Sequence, residues 1–246
     1  MAPLVHAAKA TGITTLTLDS PANRNALSAQ LVGELRAALA EAGKDTDTRA
    51  VLLTHTGNTF CAGADLKSPC DPADFLALLR ELTTLPKPVV ARVTGHVRAG
   101  GLGVLGACDI AAAGPQSSYA FTETHLGLAP AVISMTLLPR LDPRAASRYF
   151  LTAEPFDAAE ATRIGLLTLH TDGDPDTALA PVLDGLRKAS PQALAETKAM
   201  VAAGVREALD RDGDRLSELS ARLFASAEAR EGITARFERR DPSWVR

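Results

Sequence analysis

Strand-like and helix-like hydrophobic patterns alternate through the first two thirds of the chain. The run GITTLTLDS, Gly12 to Ser20, alternates β-branched and apolar residues and stops at Pro21, which predicts a strand followed by a turn. Ser28 then stands as an N-cap before Leu31, Leu35, Ala38 and Ala42, which recur at helical spacing. RAVLLTH, Arg49 to His55, predicts a second strand and leads into a loop of small residues, TGNTFCAGADL. Helical spacing returns from Pro72 to Leu85, where Phe75, Leu78, Leu79 and Leu82 share a face, and Pro86 and Pro88 end it. PVVARVTG and CDIAAAG, the latter Cys108 to Gly114, predict strands on either side of a glycine cluster. Strands regularly separated by helices imply an α/β fold with helices covering the sheet.

From Asp142 onward the pattern is helical, broken by one small strand at GLLTLHT, Gly165 to Thr171, and by the turn DGDPD. The tail from Pro191 to Arg240 is helical almost throughout. Its apolar residues Leu216, Leu219, Leu223, Phe224 and Phe237 require burial against the α/β body or a neighbouring subunit. The expected organisation is a core over residues 1–190 and a helical region over 191–246, with no linker long enough to separate independent domains.

With 246 residues, 46% of them hydrophobic and 22% charged, the chain can bury a sizeable core without a staple. A formal net charge of -3 builds in no general attraction to nucleic acid or to an anionic membrane. The opening MAPLVHAAKATG lacks the apolar core of a signal peptide, and no run is long enough for a membrane helix, so a cytoplasmic protein is expected. Cys61, Cys70 and Cys108 have neither C-x-x-C spacing nor a nearby histidine pair, which predicts reduced thiols and no zinc site.

The stretch GLGVLG, Gly101 to Gly106, fits the G-x-G-x-x-G pattern of dinucleotide-binding turns. Its context does not. The preceding strand ends near Thr94, six residues intervene, and Glu123, though 20 positions beyond Gly103, lies in FTETHLGL rather than at a strand end. The same glycines suit another arrangement. FCAGADL follows a strand, and RAGGLG enters a helix, so each loop lets a ligand approach main-chain amides closely. Two such amides converging on one point would hold a carbonyl oxygen as it gains negative charge.

Taken in order, SPANRNALS, GNTFCAGADLK, GHVRAGGLGVLGACDI and FTETHLGLAP resemble the signature of the crotonase, or enoyl-CoA hydratase/isomerase, superfamily. LFASAEAREGITARFERRDP resembles that family's C-terminal helices, so the likeness spans nearly the whole chain. The resemblance implies a spiral of ββα units with a C-terminal helical region, assembled as a homotrimer or a dimer of trimers. It implies an acyl-CoA thioester substrate, with coenzyme A part of the substrate and no metal or nicotinamide needed. The backbone N–H groups of Ala64 and Gly100 would hold the thioester oxygen. Ala62, Asp65 and Leu66 would lie near the adenine, and Arg24 and Lys67 would meet the phosphates.

Glu123 matches the family's catalytic glutamate. Apolar neighbours such as Phe121, Leu126 and Leu128 should raise its pKa, which suits proton transfer beside a thioester. The departure is Gly103, where hydratases of this type carry a second glutamate. Members with a single glutamate include Δ3,Δ2-enoyl-CoA isomerases and a bacterial branch resembling methylglutaconyl-CoA hydratases. His125, His96 and Asp65 are the side chains that could assist a water instead. The expected activity is hydration or dehydration at the 2,3-bond of an enoyl-CoA, with double-bond isomerisation and non-catalytic CoA binding as alternatives.

Overall fold

A computed structural model describes residues 2–246. Its first part repeats one unit, strand, strand, helix. A hairpin, β1 (Val5–Ala10) and β2 (Ile13–Leu18), precedes α1 (Ala29–Lys44). Then come β3 (Ala50–His55), β4 (Thr59–Cys61) and α2 (Pro72–Thr84). The next unit is β5 (Val89–Val93), β6 (His96–Arg98) and α3 (Gly100–Ala107), and the last is β7 (Ile110–Ala113), β8 (Ser118–Ala120) and α4 (Ala131–Leu137).

The first strand of each unit joins one sheet and the second joins another. β2, β3, β5 and β7 run parallel in the larger sheet, and β4, β6 and β8 run parallel in the smaller one. In the first unit the second strand shrinks to a single bridge, Leu27 to Ala64. This is the ββα spiral that the resemblance implies. Stacking like strands on like strands brings the connection after each second strand to one side of the molecule, where the loops of successive units meet.

Local chemistry fixes the element ends. The Ser28 hydroxyl accepts from the Leu31 amide at 3.2 Å, and the Asp71 carboxylate caps α2 ahead of Pro72. Leu31, Leu35 and Leu39 from α1 and Leu78, Leu79 and Leu82 from α2 are fully buried between the helices and the sheets. Helix α3 is buried all round from Gly101 to Ala107 and runs through the core. Its glycines permit this: a Cβ at Gly101 would lie 2.7 Å from the Cys61 Cβ, and one at Gly106 would lie 2.9 Å from the Thr136 carbonyl. The GLGVLG run is thus a helix packed at close range on β4 and α4.

The second part comprises α5 (Pro143–Thr152), β9 (Phe156–Asp157), α6 (Ala158–Arg163), β10 (Leu169–His170), α7 (Pro175–Lys188), α8 (Pro191–Val201), α9 (Ala203–Phe224) and α10 (Ala227–Glu238). The strand expected over Gly165–Thr171 is only two residues long, and β9 was not foreseen, because two-residue strands carry no periodicity. Helix α9 packs on α2 and α4, and Gly213 lets it approach the Leu76 side chain. Helix α10 sits on the turn Thr124–Leu126; a Cβ at Gly232 would lie 2.6 Å from the Leu126 backbone. Phe224 and Phe237, expected to be buried, remain 40% and 56% exposed on this chain.

Candidate active site

Two loops from successive units converge. Gly63 has φ of +91°, and a Cβ there would lie 2.8 Å from the Ala99 Cβ and 3.5 Å from the Gly100 nitrogen. On its outer side the loop is held by Leu27, whose N–H donates to the Gly63 carbonyl at 2.8 Å and whose carbonyl accepts from the Asp65 amide at 3.3 Å. By the alternation of an extended chain, the amide of Ala64 points the other way. Between β6 and α3 the chain turns through Ala99 at φ 45°, ψ -121°, a costly backbone for a residue with a Cβ. That turn makes Gly100 the first residue of α3, where a helix amide has no intrahelical acceptor. Among the described residues, neither the Ala64 nor the Gly100 amide donates to another main-chain group.

Glu123 follows β8 and precedes the 3-10 turn Thr124–Leu126. Its main chain is fixed, with its carbonyl accepting from the Leu126 amide at 2.9 Å and the Leu128 amide at 3.0 Å. Phe121, two residues earlier, stacks on Phe150 with ring centroids 4.3 Å apart. The Glu123 side chain is 8% exposed, and its Oε2 has no hydrogen-bond partner among the described residues. Burial pushes its pKa up to about 7, opposed by one backbone hydrogen bond. The carboxyl group is therefore poised to gain or lose a proton near neutrality.

These groups line one cavity of about 610 Å³, whose wall includes Arg24, Ala62, Ala64, Leu66, Gly100 and Glu123. Asp65 and Lys67 are not in that wall. The Asp65 carboxylate instead accepts from Asn23 Nδ2 at 3.1 Å and from the Lys67 amide at 2.9 Å, tying the loop to the turn Pro21–Asn23. Lys67 is exposed beyond it. Exposed His125 lies outside the cavity wall, whereas His96 lines it, its Nδ1 2.8 Å from the Ser118 hydroxyl. Arg98 and Arg236 also line the cavity and were not expected there, and Phe224, expected only to be buried, lines it too. Alternation along β6, which puts Arg98 on the same side as His96, was the available signal for one of them.

The place of a second carboxylate is closed. A Cβ at Gly103 would lie 2.5 Å from Ile133 Cγ2 and 2.9 Å from Ile133 Cβ. Ile133, on α4, is 3% exposed and fills the space into which a longer side chain would project. The thiol of Cys61, behind α3, is pushed up to about 12 by burial and is inert at neutral pH. Among the described residues no three His, Cys, Asp or Glu side chains cluster as a metal ion would require, and no helix is long and apolar enough to cross a membrane.

Residues 8–246 match the family model described as enoyl-CoA hydratase/isomerase. The fold superposes on an enoyl-CoA hydratase from Mycobacterium avium with a TM-score of 0.93 and 50% identity, covering 100% of both chains. An enoyl-CoA hydratase from Shewanella pealeana is 32% identical with a TM-score of 0.77, over 98% of this chain and 96% of that one. A carnitinyl-CoA hydratase from Mycobacterium avium is 25% identical with a TM-score of 0.89, over 100% of this chain and 99% of its own.

Proposed function

The chain belongs to the enoyl-CoA hydratase/isomerase family, and from that premise we propose that it adds water to, or removes it from, the 2,3-double bond of an acyl-CoA thioester. The observation that carries this is that Ala64 and Gly100, whose amides donate to no other main-chain group, line the same cavity as Glu123, a buried carboxyl whose Oε2 has no partner among the described residues. The thioester oxygen accepts from the two amides. Negative charge arriving on that oxygen is then held by donors fixed before the reaction begins, and loss of one such donor costs roughly 3 to 4 kcal/mol. Helix α3 behind Gly100 adds the positive end of its dipole.

A single carboxylate can serve both halves of the addition. Ionised Glu123 takes a proton from water as the water oxygen bonds to C3, and the electron pair of the double bond moves onto the thioester oxygen. The same proton then passes from Glu123 to C2, and the thioester carbonyl reforms. Water is added overall and Glu123 returns to its starting state.

One observation favours a second reaction at the same site. Ile133 occupies the space beside Gly103, so no second carboxylate is available to orient a water. Isomerisation needs no water: Glu123 removes a proton from C2 of a 3-enoyl thioester, the amides hold the dienolate, and the proton returns at C4.

The two reactions separate spectroscopically. Loss of the conjugated enoyl-thioester absorbance from crotonyl-CoA reports hydration, and its appearance from a 3-enoyl-CoA reports isomerisation. Turnover that survives intact in Glu123→Gln would refute both routes.

A further inference from the structure

Arginines on this chain are commonly matched by carboxylates. Arg36 meets Asp74 and Glu81, Arg92 meets Asp174 and Asp176, and Arg240 meets Glu231 and Glu238. Three arginines that line the cavity, Arg24, Arg98 and Arg236, have no such partner among the described residues. They fall in two places. Arg24 belongs to the loop end of the cavity, where its carbonyl accepts from the Ala62 amide at 3.1 Å. Arg98 and Arg236 form a second cationic spot.

Arg98 is built in rather than splayed into solvent. Its side chain turns back along β6 and donates to the Ser118 carbonyl at 2.6 Å and to the Ser118 hydroxyl at 2.8 Å. A third bond goes to the Val97 carbonyl at 2.9 Å, so every acceptor is neutral. Arg236 comes from α10, and its side chain makes no hydrogen bond or ion pair among the described residues. Both residues line the same cavity, and burial, and after it the charge of Arg236, lowers the pKa of Arg98. Glu123 lines the same cavity but forms no ion pair with either arginine among the described residues. Arg98 is half-buried and Arg236 is exposed, so solvent screens part of their repulsion, and an anion in the cavity beside them would meet both charges. Guanidinium is also the side-chain group that grips a carboxylate with paired hydrogen bonds.

We propose that Arg98 and Arg236 form an anion subsite in the cavity that binds a carboxylate carried on the acyl part of the substrate. The proposal rests on the acyl-CoA reading of the site and narrows it to acyl chains with a second acid group. Within that reading the coenzyme phosphates lie toward Arg24, beside the loop that meets the adenine. Arg98 lies on the strand that leads to the oxyanion amide of Gly100, with its head turned away from the start of α3.

Calorimetric dissociation constants test this independently of turnover. Matched saturated acyl-CoA esters of increasing length are compared, one of each pair ending in methyl and the other in carboxylate. The carboxylate-ended ester is expected to bind at least about tenfold more tightly at one or more lengths. In Arg236→Gln that preference falls at least about tenfold. Arg98→Gln should repeat the effect, and Arg236→Gln removes no bond within the fold, so its result stands even if Arg98→Gln fails to fold. Equal binding of both esters at every length, or a preference untouched by Arg236→Gln, overturns the proposal.

A loss shared equally by both esters, and absent with 3'-dephospho-CoA esters, would assign the pair to a coenzyme phosphate and also overturns it. Turnover of enoyl-CoA esters by the unmodified protein is scored separately. Absence of turnover would refute the proposed reaction while leaving the binding preference to be judged on its own.

Discussion

Substituting Gly103 by alanine probes why this site has one carboxylate. The added Cβ would stand 2.5 Å from Ile133 Cγ2, about 1 to 1.5 Å inside the usual contact distance of about 3.5 to 4.0 Å. Ile133 cannot move away freely, because α4 is packed between α3 and α9. Such overpacking costs about 3 kcal/mol at the upper end of its usual range. Replacing glycine inside a helix returns about 1 kcal/mol. A net loss of about 2 kcal/mol is expected. Ile133→Ala alone leaves a cavity and should cost about 3 kcal/mol.

In the double variant the methyl at 103 enters space that Cγ2 has left, its nearest fixed neighbour being the Ile133 Cβ position at 2.9 Å. The combined loss should fall short of the sum of the single losses by about 1 to 2 kcal/mol. Urea unfolding at one protein concentration, read as midpoints at constant slope, measures all three variants. Losses that add to within about 0.5 kcal/mol would show that Ile133 is not what closes the position.

Glu123→Gln is expected to lower turnover at least about 100-fold, measured by enoyl-thioester absorbance. In the proposed route the ionised carboxylate begins the hydration, so kcat/KM should rise with pH and level off above about 7, and a flat profile from pH 5 to 9 would count against that role. The same residue links stability to pH. Its proton is held more tightly in the fold, with a pKa of about 7 against an ordinary 4.5, so its contribution is full below pH 4.5 and is lost as pH rises through 7. That loss amounts to about 3 kcal/mol, and Glu123→Gln should remove it from the urea midpoints measured between about pH 5 and 8. Gly63→Ala, at φ +91° and facing Ala99, should part the two amides and lower kcat by roughly 10- to 1000-fold while the far-ultraviolet spectrum is retained. Lys198→Met strands the carboxylate of Asp109, now 2.8 Å from Lys198 Nζ and 8% exposed, and should cost about 3 to 5 kcal/mol in urea unfolding.

The helices were legible wherever a cap stood before a periodic apolar face, as at Ser28 before α1 and Asp71 before α2. Strands β3, β5 and β7 declared themselves by apolar runs because they are largely buried, and β2 by the alternation of its β-branched and apolar residues. Strand β1 gave no such sign, since VHAAKA is an edge strand with most of its residues exposed. At the site, loop glycines and Glu123 could be read from motif order. The cationic spot could not, because Arg98 and Arg236 are 138 positions apart in sequence, the difference between their numbers, and meet only when α10 is laid over the cavity. Nor could the closure at Gly103, since Ile133 is an ordinary apolar residue until α4 is set against α3.

Helix α10 has a bearing on the order in which the molecule is finished. It sits on the turn that follows Glu123, with Glu228 and Ala229 against Gly127, a contact spanning roughly a hundred residues of chain. During synthesis Glu123, the proposed general base, is made near the midpoint, but the surface on which its turn rests emerges almost last. A nascent chain therefore carries the loops at Ala64 and Gly100 well before the turn after Glu123 is seated. On the proposed mechanism, activity would be a readout of complete folding rather than of the ββα core alone.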